Sequence, residues 1–283
     1  MSSPATAPEF AWRVPRDLPG WVQLFDVATL PILGSTAMAM EDLRAAEDRV
    51  DAHTLAEALS PDPLMTLKVL SFVGGLRRDR ERGEPETLTA ALVMLGVTPF
   101  FRAFGPQPTV EQHLAGRPEA LAGFRAVLKR SRRAADFAVA FAVHRLDQDV
   151  TVIHEAVLLH AFAEMVLWLR APHLPLHIAH MQTEDPTLRS SQAQKEVLHV
   201  QLDELQQALM SVWCLPALLR TITNPKLQRA SAQVRNVLLA IRVARHSTLG
   251  WDNPALPDDV AEIAELLQLR VEPTWKLLLE FDT

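Results

Sequence analysis

The run LAEALSPDPLMTLKVL at residues 55–70 decides the fold predicted for this chain. Its first half places apolar residues on one side of a helix, which the Pro-rich turn at 60–63 ends. Asp62 can cap the next helix, with Pro63 at the first helical position, where a missing N–H costs nothing. The residues that follow are apolar nearly all round, so the pattern predicts a central, buried helix that Gly74-Gly75 stops.

The same helical spacing continues on both sides of this run. No alternation of β-branched and polar residues is long enough for a strand. We therefore predict an all-α, compact multi-helix fold of two helical lobes with no significant sheet. The other main helices are predicted at 32–47, 86–95, 118–143, 152–169, 174–181, 192–212, 229–245, 258–269 and from Pro273 onward.

Breaks in the helical pattern suggest how the chain is organised. The segment 105–108, Gly-Pro-Gln-Pro, interrupts the helices and marks a boundary between lobes. The prediction is a flexible N-terminal segment at 1–19, an N-terminal helical lobe at 20–108 and a C-terminal helical lobe at 109–283. Residues 20–283 are expected to form one unit.

Composition excludes several classes of protein. With 48% hydrophobic and 22% charged residues in 283, the chain is neither disordered nor fibrous. Its one cysteine, Cys214, rules out an internal disulfide and a thiolate zinc site. A net charge of −6 removes the uniformly basic face that sequence-independent nucleic-acid binding requires, so we expect no nucleic-acid partner.

The sequence also argues against membrane insertion. The most apolar stretch, 152–169, contains His154, Glu155, His160 and Glu164, which are expensive to place in hydrocarbon. Residues 1–11 lack the positive start and the apolar block of a signal peptide. We therefore expect a cytoplasmic protein with no membrane partner.

Four pieces of the chain, taken in order, resemble the HDOD domain, the HD-related output domain of bacterial signalling proteins. The first piece is Leu30-Pro31 with residues 55–70, and the second is Ala90-Ala-Leu-Val-Met-Leu-Gly96, which is similar to the family's "LG" helix. The third is Val157-Leu-Leu-His160, similar to the family's "LLHD" segment. The fourth is Glu196 with Val212-Trp-Cys-Leu-Pro216, similar to the family's "E … W-x-L-P" stretch. The resemblance covers residues 30–225. It implies an all-α fold and a regulatory role in signalling.

The resemblance also identifies the chemistry that is missing. HD phosphohydrolases bind metal through a His, an adjacent His-Asp pair and a later Asp. Here the pair reads His160-Ala161, and no Asp follows any of the ten His residues. The position of the first His reads Arg130, and the family's later His positions read Leu202 and Asn224-Pro225. A two-metal hydrolase needs several converging carboxylates and imidazoles, so we expect no enzyme activity, no metal and no cofactor.

Three functions follow from these observations. The preferred hypothesis is a non-catalytic signal-transduction module that binds signalling proteins, with self-association left open. Its contact surface would lie on the C-terminal helices 258–269 and 273–281, although their apolar face is also typical of a core. The alternative is a pseudo-enzyme sensor that binds a nucleotide or another anion in the degenerate HD cleft. The third is a metal-dependent hydrolase with rebuilt ligands.

The candidate anion-binding residues are Lys129, Arg130 and Arg133 with His160. Lys129 to Arg133 span little more than one helical turn and have no acidic neighbour until Asp136. Such a cluster can bind a phosphate or an acidic partner helix, and the competing interpretation is an ordinary solvated helix face.

Two histidine patterns were weighed as metal sites. His173, His177 and His180 share one helix face, which suits zinc, copper or nickel, but no carboxylate lies within a turn of His173, and a solvated polar face is the preferred interpretation. His154-Glu155 and His160 resemble a metalloprotease motif with the wrong spacing, since the second His is six residues from the first. We expect His160 to pair instead with Glu164 inside the core.

Overall fold

A computed structural model describes residues 14–76, 85–224 and 231–281. These residues form helices joined by short loops and contain no strand, only an isolated bridge between Ile32 and Thr109. The predicted all-α fold is confirmed. In chain order the helices are α1 (Leu18–Leu24), α2 (Gly34–Ala45), α3 (Ala52–Leu59), α4 (Pro63–Leu76), α5 (Leu88–Leu95), α6 (Val97–Ala103), α7 (Val110–His113), α8 (Pro118–His144), α9 (Val150–Leu158), α10 (Phe162–Arg170), α11 (His173–Glu184), α12 (Ser190–Leu198), α13 (Leu202–Val212), α14 (Ala217–Ile222), α15 (Ala232–His246), α16 (Leu256–Leu267) and α17 (Val271–Phe281).

Asp62 holds the starts of α4 and α2 together. Its Oδ1 accepts hydrogen bonds from the N–H groups of Leu64 and Met65 at 2.9 and 3.1 Å, which confirms the predicted cap. Its Oδ2 accepts the N–H of Leu33 at 2.7 Å. The side chain is fully buried, and this burial raises the pKa of the carboxyl group against the opposing effect of its hydrogen bonds.

Loop residues after α6 pack back on the N-terminal helices. Lys68 in α4 donates hydrogen bonds to the carbonyl oxygen of Leu30 at 2.8 Å and to Gln107 Oε1 at 2.6 Å. Burial lowers the pKa of Lys68. Ile32 donates to the carbonyl oxygen of Pro108 and accepts from the N–H of Val110. The division into lobes at residue 108 stays a prediction.

The predicted stop at Gly74-Gly75 is wrong, because α4 runs on to Leu76. Gly74 lies where α4 passes the segment between α13 and α14. A Cβ atom on Gly74 would lie 2.2 Å from the carbonyl oxygen of Cys214, far inside van der Waals contact. Gly74 is therefore required by the close approach of two backbones, and not as a helix terminator.

Two predicted helices are each divided in the structure. The range 152–169 becomes α9 and α10, with a turn at 159–161, because the His160 side chain occupies the carbonyl oxygen of Val157 that a continuous helix would use. The range 192–212 becomes α12 and α13, since His199 adopts a left-handed conformation with φ of 61°. Neither break carries a glycine or proline signal.

The long helix α8 is central to the packing, because it contacts α9, α10 and α15. One continuous hydrophobic core extends through both predicted lobes. Glu155 on α9 reaches the start of α5, where both carboxylate oxygens accept the N–H of Leu88 at 3.0 Å. Burial raises the pKa of Glu155 to about 8. A side chain from the later part of the chain thus caps a helix of the earlier part.

Helix α1 also contacts the later part of the chain. The indole Nε1–H of Trp21 in α1, which is fully buried, donates to the carbonyl oxygen of Leu198 at 2.8 Å. Of the segment 1–19 predicted to be flexible, residues 1–13 lie outside the described part, and α1 begins at Leu18 with Asp17 as its cap.

The stretch Val150–Arg170 has the length and apolar composition of a membrane span. Of its most apolar window, 72% is buried inside the structure. Phe162 and Leu167 are fully buried there, and so are Ile153 and Val157. This degree of burial is typical of a core segment.

Candidate functional site

A cavity of about 930 Å³ opens between α8, α10, α12, α13, α15 and α16. His160, at the turn between α9 and α10, and Arg130, from α8, both line it. Its wall is rich in charged and amide groups: Arg130, Arg235, Arg242, Arg245, Glu164, Asp203, Glu262, Glu265, Gln194, Gln201, Gln206 and Gln207. Because the four arginines face four carboxylates, the cavity as a whole is balanced in charge.

Arg130 and Glu164 form an ion pair at one end of the cavity. Arg130 Nη2 donates to Glu164 Oε2 at 2.6 Å, and both side chains are about one-quarter exposed. The predicted pair between His160 and Glu164 is therefore wrong. A permanently charged guanidinium attracts the carboxylate more strongly than a neutral imidazole does.

The imidazole of His160 is uncharged at neutral pH. Burial first, and then the cations of Arg130 and Arg245, lower the pKa of His160 to about 4 against the opposing effect of the hydrogen bond to Val157. Nδ1 lies 2.6 Å from the carbonyl oxygen of Val157. A carbonyl oxygen only accepts, so Nδ1 carries the proton and Nε2 is left as an acceptor.

Two other groups in the wall have unused hydrogen-bonding capacity. Among the described residues, the guanidinium of Arg245 donates no hydrogen bond and forms no ion pair, although it lines the cavity near Arg130. Burial and then the Arg130 charge lower the pKa of Arg245. Gln206 on α13 is only 6% exposed, yet its amide has no hydrogen-bond partner in the same part of the chain.

The remaining arginines of the wall are held by α16. Arg242 contacts the fully buried Asp259 at 2.6 Å and Glu262 at 2.9 Å, and Arg235 contacts Glu265 at 3.0 Å. His246 Nδ1 lies 2.5 Å from the other oxygen of Asp259. These contacts brace α15 against α16. Arg245 takes no part in them: it is exposed to solvent and lies within electrostatic range of Glu164 and Asp259.

The structure does not bring the four predicted anion-binding residues together. Lys129 and Arg133 line a second groove of about 590 Å³, away from Arg130 and His160. Arg133 donates to the carbonyl oxygen of Ala244 at 3.0 Å and lies over the Phe137 ring, 5.1 Å from its centroid. Successive residues of a helix point about 100° apart, so neighbours in the sequence face different surfaces.

The histidines of α11 lie on an exposed face of that helix. His173, His177 and His180 are all exposed, and His180 pairs with Glu184 at 3.2 Å. Within the described ranges, no group of three or more His, Cys, Asp or Glu side chains is placed to hold a metal ion.

No pattern in the sequence singles out Arg245 or Gln206 as cavity residues. Arg245 lies more than 80 residues after His160, and Gln206 lies on α13, in a range that was predicted as one continuous amphipathic helix. Only the packing of α13 and α15 beside α10 brings these polar groups to one cavity. A basic residue near the end of a helix, such as Arg245, is by itself too common to single out.

Comparison with solved structures identifies the fold. The MmoQ response regulator of Methylococcus capsulatus is similar over 88% of this chain and 98% of its own, with 19% identity and a TM-score of 0.65. A virulence factor of Campylobacter jejuni is similar over 92% of this chain and 94% of its own, with 18% identity and a TM-score of 0.65. At these identities the likeness is one of fold.

Comparison of the sequence identifies the family. None of the curated proteins matches the chain in sequence. The family model of the HDOD domain matches residues 30–227, which is more than half of the chain and nearly the range that the four sequence pieces span. The end of that match, at 225–227, lies outside the described residues. This chain therefore belongs to the HDOD domain family.

Proposed function

We propose that this protein is a non-catalytic regulatory module of signal transduction that acts in the cytoplasm by binding another signalling protein. The observation that carries the proposal is the ion pair of Arg130 with Glu164 beside His160-Ala161. At this place the enzymatic relatives are expected to hold metal ions, and here a cation occupies it.

The groups nearest His160-Ala161 are poorly suited to hold a metal ion. The Glu164 carboxylate is held by Arg130, and Nδ1 of His160 is held by Val157. The guanidinium groups of Arg130 and Arg245 repel a divalent cation. A two-metal hydrolase needs carboxylate and imidazole ligands free to converge on the ions and to lower the pKa of bound water.

The similarity of fold to the MmoQ response regulator supports a role in signalling. The contact surface that we propose is the outer face of α17. Leu278 is fully buried and Trp275 packs edge-on against Trp251, so the inner face is core. Leu279 and Phe281 stay 43% and 51% exposed, which leaves an apolar outer face for a partner.

The absence of catalysis is tested with the intact protein and added Mg²⁺, Mn²⁺ or Zn²⁺. We expect no turnover of p-nitrophenyl phosphate or bis-p-nitrophenyl phosphate, and less than one equivalent of transition metal retained after desalting. Turnover that disappears in His160→Ala would overturn the proposal. The Lys129→Ala variant is the matched control, because Lys129 lies outside the cavity.

Partner binding is tested by cross-linking in cells followed by affinity measurement with the partner recovered. We expect the double variant Leu279→Ser with Phe281→Ser to weaken binding at least tenfold. Met38→Ser removes an apolar side chain that is 71% exposed on α2 and should leave the affinity unchanged. Equal effects of the two variants would refute the assignment of α17.

A further inference from the structure

We propose that the 930 Å³ cavity binds a small phosphorylated molecule, with Arg245 and Arg130 on its phosphate and with Gln206 and His160 on its hydroxyl or amino groups. This inference goes beyond the proposed function, since a module that only docks on a protein has no need of a ligand cavity. It rests on the unused hydrogen-bonding groups of the wall.

One end of the cavity wall holds two guanidinium groups, those of Arg130 and Arg245, beside the single carboxylate of Glu164. Arg245 has no hydrogen-bond or ion-pair partner among the described residues, and Arg130 shares the single carboxylate of Glu164. The two guanidinium groups are close enough for their charges to repel. A phosphate between them offsets this repulsion and accepts the planar pairs of N–H donors that guanidinium groups present.

Two further groups of the cavity wall, His160 and Gln206, call for hydrogen-bond donors on the ligand. Nε2 of neutral His160 is an acceptor, and it therefore matches a hydroxyl or amino group and not a phosphate oxygen. The Gln206 amide, nine-tenths buried and without a partner in the described part of the chain, can both donate and accept. Because the rest of the Gln206 side chain is buried, its amide is held facing the cavity, where it can pair with a ligand.

The size and lining of the cavity indicate the class of ligand. A volume of about 930 Å³ is much larger than one phosphate needs and lies in the range of sites for nucleotide-sized molecules. In the described part of the chain no Phe, Trp or Tyr side chain lines the cavity, so hydrogen bonds and charge would contribute most of the binding. The wall thus fits a phosphate ester of a sugar, alone or within a nucleotide.

The test is isothermal titration of the intact protein at constant ionic strength with inorganic phosphate, ribose 5-phosphate, AMP and GMP. We expect saturable one-to-one binding of at least one ester, tighter than that of inorganic phosphate. Arg245→Ala should weaken this binding roughly ten- to hundredfold, the range for a hydrogen bond to a charged group. Gln206→Leu should weaken the esters and leave inorganic phosphate unchanged.

The control is Lys129→Ala, which removes the same charge from α8 on the side of the second groove and should bind the esters as the wild type does. Because Arg245 makes no hydrogen bond in the described structure, its variant should retain the wild-type circular dichroism spectrum. The inference is overturned if no ester binds at millimolar concentration, if inorganic phosphate binds as tightly as the esters, or if Lys129→Ala weakens binding as much as Arg245→Ala. None of these results bears on partner binding through α17, so the two proposals fail separately.

Discussion

Replacing Glu155 by Gln tests the most unusual ionisable group of the core. Glu155 is 3% exposed, its oxygens accept the N–H of Leu88, and burial raises its pKa from 4.5 to about 8. The carboxyl group is therefore mostly neutral in the native protein at pH 7. Gln keeps the volume and an oxygen for Leu88, but it cannot ionise.

The magnitude follows from the two pKa values. Since the native pKa is raised, the stability that the neutral group contributes is fully present below pH 4.5 and is lost as the pH rises through about 8. Between pH 5 and pH 9 the wild type should lose about 4 kcal/mol of unfolding free energy from this position. Glu155→Gln should lose no unfolding free energy from this position between pH 5 and pH 9. The variant should therefore become more stable than the wild type as the pH rises above neutral.

The assay is urea unfolding followed by circular dichroism at a series of pH values between 5 and 9. Glu57→Gln is the control, because Glu57 is exposed on α3 and its replacement should leave the pH profile parallel to that of the wild type. If the profiles of Glu155→Gln and the wild type were also parallel, the carboxylate would not be desolvated, and the reasoning would be wrong.

Two further substitutions test close contacts of the core. Gly74→Ala should lower the unfolding free energy by about 1–3 kcal/mol or more, because the new Cβ atom would meet the Cys214 carbonyl oxygen. Gly75 has open space around it, so Gly75→Ala should raise the unfolding free energy by about 0.5–1 kcal/mol. Asp62→Ala should cost about 2–4 kcal/mol, since it removes the cap of α4 and leaves the buried N–H of Leu33 without an acceptor. Thermal and urea unfolding measure the unfolding free energy of each variant. A change of less than about 0.5 kcal/mol for Gly74→Ala or Asp62→Ala would contradict the contacts described for these two residues.

Local sequence patterns predict the structure correctly where a residue type has a single well-defined role, such as capping or ending a helix. Asp62 before Pro63 predicted a cap, and the cap is there. Gly96 was expected to end α5, and it does so with φ of 84°. The family was recognised from short pieces spread over the same range that the family model matches.

Signals failed where a distant contact decides the outcome. Gly74 was interpreted as a helix stop because the chain that crowds it lies 140 residues away. Arg130 and His160 line one cavity, whereas Lys129 and Arg133, which are only close to Arg130 in the sequence, line another groove. Glu155 was considered only as part of a metal motif, although its role is to cap α5. Each miss depends on a partner from another helix.

The hydrogen bond from Trp21 to Leu198 has a consequence for how the protein emerges from the ribosome. The two residues are 177 positions apart, so the site that buries the indole does not exist until most of the chain has been synthesised. At translation rates of about 5–20 residues per second, that interval lasts roughly 10–35 s. During it the indole N–H lacks its native acceptor, so α1 can complete this contact only late in synthesis.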